Sequence, residues 1–315
     1  AGNRLAVRDL VVQHNTYLGD LEDGGTRLAN VRRFSFVAGS EDLPRAWAPG
    51  SRAVFIDSNR FGHWEIFRRS LDGGADAPFV HGAGDQFSPR LGPEGQWLLY
   101  LSRPVKWQEP QPVSLMRAPL AGGASQFVLT SAGYSEWGLR FECPRRAGMP
   151  CVLAERQGSQ IAFRAFDPAK GFESRGAAIG HVPVASQFHF AWALAPDLSS
   201  LAWIQWSPVD DHIHVLPLAY KASQLSTGGS EYRVTAGGEA YLHSIAWARD
   251  ARGWYLTTQQ PARWTLIYAT LTGKVSKLLR VPSPLAPDVF PSPDGRHLAF
   301  SEESSSSNVW LLENF

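Results

Sequence analysis

A proline-centred turn followed by an alternating apolar strand recurs along the chain, and this repeat constrains the fold more than any single residue does. Its fullest copy is Pro291-Ser292-Pro293-Asp294-Gly295-Arg296-His297-Leu298-Ala299-Phe300-Ser301. Reduced copies stand at Trp47-Ala48-Pro49-Gly50-Ser51, Gly92-Pro93-Glu94-Gly95, Ala195-Pro196-Asp197-Leu198 and Ala248-Arg249-Asp250-Ala251. The proline slots, Pro49, Pro93, Pro144, Pro196, Arg249 (in place of proline) and Pro293, are 44, 51, 52, 53 and 44 residues apart. A period of about 40–50 residues is the spacing of propeller blades. A solenoid would need helical faces with a 3.6-residue rhythm, and no convincing one is found. The expected fold is therefore all-β: a single β-propeller over residues 1–315 with four-stranded antiparallel blades.

Within the repeats, β-rich runs alternate with hairpin signals. Ala53-Val54-Phe55-Ile56-Asp57 leads through Ser58-Asn59-Arg60-Phe61-Gly62 to Trp64-Glu65-Ile66-Phe67-Arg68, and Leu71-Asp72-Gly73-Gly74 makes the next turn. Asp-Gly and Gly-Gly between such runs mark hairpins, because both central residues tolerate positive φ. The two ends are incomplete in complementary ways. Residues 1–30 supply strands without an opening turn, and 291–315 supply the turn and then stop. Counted separately the ends give seven blades, the favoured number; merged into one they give six. Either way the ring closes between the two ends and leaves no long open sheet edge.

Apolar residues make up 44% of the chain, enough for a large core, and the 12 Trp, 29 Gly and 22 Pro suit short strands and tight turns. The formal net charge of +1, with no Lys/Arg run, leaves no electrostatic footprint for nucleic acid. No apolar stretch reaches the roughly 18 residues of a membrane span. A start at Ala1 reads as a mature or excised piece of something longer, its targeting or anchoring element lying elsewhere. The two cysteines, Cys143 and Cys151, flank a Pro/Gly-rich turn between two strands. They read as a disulfide across a hairpin mouth, the alternative being two free, partly buried thiols.

Sites for chemistry are sparse. No Gly-x-Ser-x-Gly elbow occurs, and Gly82-Ala83-Gly84 lacks the third glycine of a kinase phosphate loop. Asp210-Asp211-His212-Ile213-His214 puts two imidazoles on one strand face, but without a third ligand it reads as a turn entering a strand. No cofactor and no metal is expected. Asp85, Glu136, His189, His243 and Asp288 precede or begin the repeat openings, so they are the candidates for a channel-face binding site. Trp107, Trp137 and Trp206 sit in or beside loops and are candidate peptide anchors or blade-packing residues.

Pro293-Asp294-Gly295-Arg296-His297-Leu298-Ala299-Phe300 and Ser58-Asn59-Arg60-Phe61-Gly62-His63-Trp64-Glu65-Ile66 resemble the WD40-like (PD40) repeats of the TolB propeller family, over essentially the whole chain. The tail Ser307-Asn308-Val309-Trp310-Leu311-Leu312-Glu313-Asn314-Phe315 is similar to the C-terminal propeller of large acidobacterial signalling proteins. So are Phe141-Glu142-Cys143, Cys151-Val152-Leu153-Ala154-Glu155 and Phe166-Asp167-Pro168-Ala169-Lys170-Gly171. In those proteins a cytoplasmic kinase or winged-helix region is followed by a membrane span and an outer propeller. The resemblance implies a periplasmic, membrane-tethered sensor domain that binds a protein, peptide or small ligand on its channel face. TolB itself is six-bladed and has an N-terminal domain that is missing here, and several turns here lack its Asp or Gly. An enzyme with its active site in the channel, a hydrolase or lyase, is the alternative.

Overall fold

The computed structural model describes residues 4–35, 37–105, 111–134, 139–171, 176–183, 190–205, 211–239, 241–260, 263–283 and 287–313. Five of the six proline-slot turns are built on one backbone pattern. The residue before the slot donates across the turn to the next strand and accepts from the residue two after the slot. Ala48 N donates to Ala53 O and Ser51 N to Ala48 O, and the same two bonds recur at Gly92 and Gly95, Ala195 and Leu198, Ala248 and Ala251, Ser292 and Gly295. The second bond needs a left-handed residue, which is why the motif carries glycine. Where glycine has been lost, Leu198 (φ 66) and Ala251 (φ 56) are held left-handed anyway. The degraded copies are therefore functional turns.

Each turn joins an innermost strand to the second strand of its blade. Blade 1 holds β3 (Asp42–Trp47), β4 (Ala53–Ser58), β5 (Glu65–Ser70) and β6 (Ala77–Val80). Blade 2 holds β7 (Gly84–Leu91), β8 (Trp97–Pro104), β9 (Gln111–Pro119) and β10 (Gln126–Tyr134). Blade 3 holds β11 (Leu139–Glu142), β12 (Cys151–Gln157), β13 (Gln160–Phe166) and β14 (Ala178–Pro183). Blade 4 begins β15 (Phe190–Leu194), β16 (Ser200–Gln205), β17 (His212–Lys221). The long β17 pairs with β19 (Tyr232–Thr235) along its first half and β18 (Gln224–Thr227) along its second. Blade 5 holds β20 (Leu242–Trp247), β21 (Gly253–Gln260), β22 (Arg263–Thr270) and β23 (Val275–Val281).

The two chain ends share the last blade, ordered β24 (Val289–Pro291), β25 (His297–Glu313), β1 (Arg4–Glu22) and β2 (Arg27–Ser35). The count is thus six, not the favoured seven. The N-terminal segment brings only outer strands and the C-terminal segment only inner ones, so neither can make a blade alone. They join through an antiparallel register running from Arg4↔Glu313 to Asp20↔His297. Beyond the blade this pairing continues as a two-stranded ribbon with Leu5, Val7, Trp310 and Leu312 exposed on one face.

Six apolar clusters fill the six gaps between blades. Strand alternation sends opposite faces to opposite neighbours. In β8, Leu98 and Tyr100 pack with Phe55 of blade 1, while Leu99 and Leu101 pack with Phe141 and Leu153 of blade 3. In β4, Val54 and Ile56 face Leu18 and Phe34 of the closing blade. Apolar contact lies between the sheets, so the axis itself is left to the innermost strands.

Candidate channel site

That axis encloses a cavity of about 720 Å³, walled by residues of the inner strands and their turns. On its wall Arg45 of β3 donates from Nε to Asp57 Oδ2 (3.0 Å) and from Nη1 to Asp288 Oδ2 (2.8 Å). Asp57 is 2% exposed, and its Oδ2 also accepts from the Ser88 backbone N–H of blade 2 (2.9 Å). Its Oδ1 is buried with no hydrogen-bond partner among the described residues. Burial pushes the Asp57 carboxyl up to about 6, against the pull of Arg45 and of the Ser88 N–H. Burial alone would lower Arg45, but Asp57 and Asp288 more than reverse this.

Arg90 of β7 makes a second bridge. Its Nε donates to Glu142 Oε1 of blade 3 (2.9 Å), its Nη1 donates to the Arg45 carbonyl (3.0 Å), and its guanidinium lies 5.5 Å from the Phe290 ring of the closing blade. Between them these two arginines tie blades 1, 2, 3 and 6 across the axis. Such partners fix the geometry of the charged groups and leave the recess rigid.

The five channel candidates separate. Asp288 and His243 lie on the cavity wall. The His243 ring meets Trp264 edge-on at 5.4 Å, and burial depresses its pKa, with Asp288 pulling the other way. Asp85 is not on the wall. It accepts from the Trp64 N–H (3.0 Å) and pairs with Arg103 (2.9 Å), holding blade 1 to blade 2, and Arg103 takes the wall position. Glu136 and His189 lie outside the described residues, as do Trp107, Trp137, Trp206 and Asp210. His212 pairs with Asp211 (3.2 Å), while His214 pairs with Glu231 (2.8 Å) and stacks on Trp203. Both histidines sit on the third strand of blade 4, and no group of three metal-ligating side chains occurs among the described residues.

Sequence reasoning missed Arg45, Asp57, Arg90, Arg140 and Glu142. Aligning the copies on their proline slots reveals four of them. Arg45 and Arg140 stand four residues before Pro49 and Pro144, where the other inner strands carry Pro89, Trp192, Ile245 and Val289. Arg90 and Glu142 stand three and two residues before their slots. Charge in an otherwise apolar column is the signal.

Blade 3 alone lacks the shared turn. Cys143 and Cys151 are joined by a disulfide, and the loop between them starts on the cavity wall with Cys143, Pro144 and Arg145. Arg145 N donates to Pro196 O of blade 4 (3.0 Å), and Gly148 N donates to Glu94 Oε1 of blade 2 (3.1 Å). By the chain-entropy relation, closing a loop this short contributes about 2–3 kcal/mol. Cys143→Ser/Cys151→Ser is expected to lower the unfolding free energy by that amount, read as a lower urea midpoint. A loss below about 0.5 kcal/mol would show that the contacts to Pro196 and Glu94 hold the loop without the bond.

No protein-family model and no curated protein sequence matches the chain. Among solved structures it is similar to a putative TolB from Agrobacterium tumefaciens (12% identity, TM-score 0.59, covering 92% of this chain and 99% of that one). It is also similar to TolB from Acinetobacter baumannii (10%, 0.53, covering 94% and 66%). An oligogalacturonate lyase in complex with manganese is comparable (13%, 0.55, covering 93% and 77%). At such identities the likeness is one of fold. The chain is a six-bladed β-propeller with a charged axial cavity, sharing its architecture with TolB proteins.

Proposed function

We propose that this propeller is a non-catalytic binding domain that takes a ligand or a partner's segment at its channel, as the extracytoplasmic sensor or interaction domain of a bacterial signalling protein. A kinase or transcriptional regulator, tethered through a membrane anchor elsewhere in the parent protein, is the kind of protein it would serve. The observation that carries this reading is the axial cavity of about 720 Å³, whose Arg45 and Arg90 are held by Asp57, Asp288 and Glu142. A preformed concave recess with a few fixed polar groups is the form of a recognition site. The Cys143–Cys151 disulfide supports an oxidising compartment, since such bonds rarely persist in the cytosol.

The enzyme reading draws on one feature, a buried carboxyl at about 6 on the cavity side of β4. Against it, that carboxyl is already engaged by Arg45 and the Ser88 N–H. The likeness to a lyase is one of fold, and folds host unrelated activities.

Both readings are tested by titrating the protein with a panel of short peptides, amino acids, sugar acids and sugar phosphates. Amide and indole NMR signals of cavity residues are followed while the ligand is monitored by mass. Binding predicts that at least one compound shifts signals of the wall and is recovered intact. Consumption of a compound would establish an enzyme, and a panel that leaves the wall signals untouched would sink the channel-binding reading.

A further inference from the structure

Blade 3's disulfide loop does more than replace a turn. Arg145, the second residue after Cys143, lines the cavity at the mouth formed by the blade-opening turns. Blade 3 lies three places from blade 6 in the six-membered ring, yet Arg145 Nη2 donates to the Pro291 carbonyl of blade 6 (3.3 Å). The side chain therefore spans the mouth. That long bond is the one hydrogen bond its guanidinium makes among the described residues, and no carboxylate there lies within ion-pair distance of it.

The carboxylates whose fields reach Arg145 are Glu142 and Asp294. Each is engaged elsewhere: Glu142 by Arg90, Asp294 by the Ser292 hydroxyl (2.6 Å) and the Arg296 N–H (3.0 Å). Arg249 adds a second positive field, and its own Nη1 bonds a backbone carbonyl, that of Asp294. The surrounding walls and the like charge of Arg249 lower the Arg145 pKa, while the residue itself stays open to solvent at the mouth. The cavity wall also carries Trp47, Trp247, Pro93 and Pro293, together with Glu94, whose carboxylate is taken by the Gly148 N–H of the loop.

We propose that this mouth is a carboxylate-binding site anchored on the Arg145 guanidinium, an assignment that rests on the channel-binding reading and names its ligand class. A guanidinium is planar and presents five N–H donors in a fixed fork. It matches a carboxylate through two parallel hydrogen bonds, which a lysine ammonium does not. Held at both flanks by Pro196 and Glu94 and closed by the disulfide, the loop keeps the fork in place before a ligand arrives.

The test uses the whole chain and three probes: N-acetyl-dialanine with a free carboxylate, the same peptide as its amide, and inorganic phosphate. Binding is read from NMR shifts of the Arg145 Nε–H, the Gly148 amide and the Trp47 and Trp247 indoles. The free acid is expected to move these signals and the amide to leave them, with Arg145→Ala weakening the acid about tenfold or more and Arg145→Lys weakening it less than Arg145→Ala. Arg145 is exposed and outside every apolar cluster, so both variants should fold as the parent does, which urea unfolding verifies. Equal response to acid and amide, or an acid affinity unchanged in Arg145→Ala, overturns the carboxylate site while leaving the channel-binding reading intact. So does a response to phosphate about tenfold stronger than to the acid. Silence towards all three probes also overturns the site, whereas the channel reading falls only if the wider panel leaves the wall signals unmoved as well.

Discussion

Leu18→Ala is expected to lower the unfolding free energy by about 2–5 kcal/mol, the range for emptying a fully buried leucine site. Leu18 is 0% exposed on β1 and packs with Phe34, Trp47, Val54, Ile56 and Ala299, where the closing blade meets blade 1. Its strand pairs with Ala299 on one side and Arg32 on the other. The lost methyl groups therefore weaken both the closing blade and its packing on blade 1. Amide exchange in β25 and β3 should accelerate more than in β12 or β16, because the seam opens first. Val7→Ala, on the exposed ribbon of the same strand, serves as the control and should change stability by less than about 0.5 kcal/mol. A Leu18→Ala loss below about 1 kcal/mol, or uniform exchange, would mean that ring closure does not depend on this seam.

Arg45→Ala should cost about 3–5 kcal/mol near neutral pH, the usual result of leaving one buried charge without its partner. The stranded group is Asp57, which keeps only the Ser88 N–H. The loss should shrink with acid. The folded pKa of Asp57, about 6, lies above the ordinary 3.8, so the folded state takes up a proton that the unfolded chain does not hold. The stability this group contributes is complete below about pH 4 and is lost as pH rises through about 6. Removing Arg45 raises the carboxyl further, so near pH 5 Asp57 is neutral in the variant and the gap to the parent closes. The rise from 3.8 to about 6 corresponds to about 3 kcal/mol, which Asp57→Asn should remove from the pH profile. Asp57→Asn should also recover part of the Arg45→Ala loss, and the double-mutant cycle measures their coupling. A pH-independent loss in Arg45→Ala would contradict a strained carboxylate at this position.

Much of the architecture was legible because it is local. The turn repeats itself, and its two backbone bonds survive where Gly has become Leu198 or Ala251, so even worn copies keep their spacing. Blade number was not legible in this way. The closing pairs, such as Tyr17↔Phe300, join residues at opposite ends of the chain, and no periodicity announces them. The channel candidates show the same division. Asp85 lies eight residues before its proline slot, beyond a register shift between Phe87 and Arg90, whereas Asp288 lies five before its own, at the entry to β24. His243 reaches the wall through a register shift between Leu242 and Ile245. Such irregularities are absent from any pattern of residue types. Pro144 was read as an ordinary slot beside a hairpin disulfide, whereas the loop it begins lacks the shared turn and is held to the turns of both neighbouring blades.

The sequence by itself determined a radial all-β repeat with its turns and alternating strands, and set two cysteines where they could pair, since each depends on neighbours a few residues apart. Only the tertiary structure decided that the ends make one blade and that Arg45, Asp57 and Asp288 form one ion network. It alone decided that Arg145 stands across the mouth from Pro291. Arg45 and Asp57 share blade 1, but Asp288 and Pro291 belong to blade 6 and Arg145 to blade 3, and only closure of the ring brings these within reach of one another.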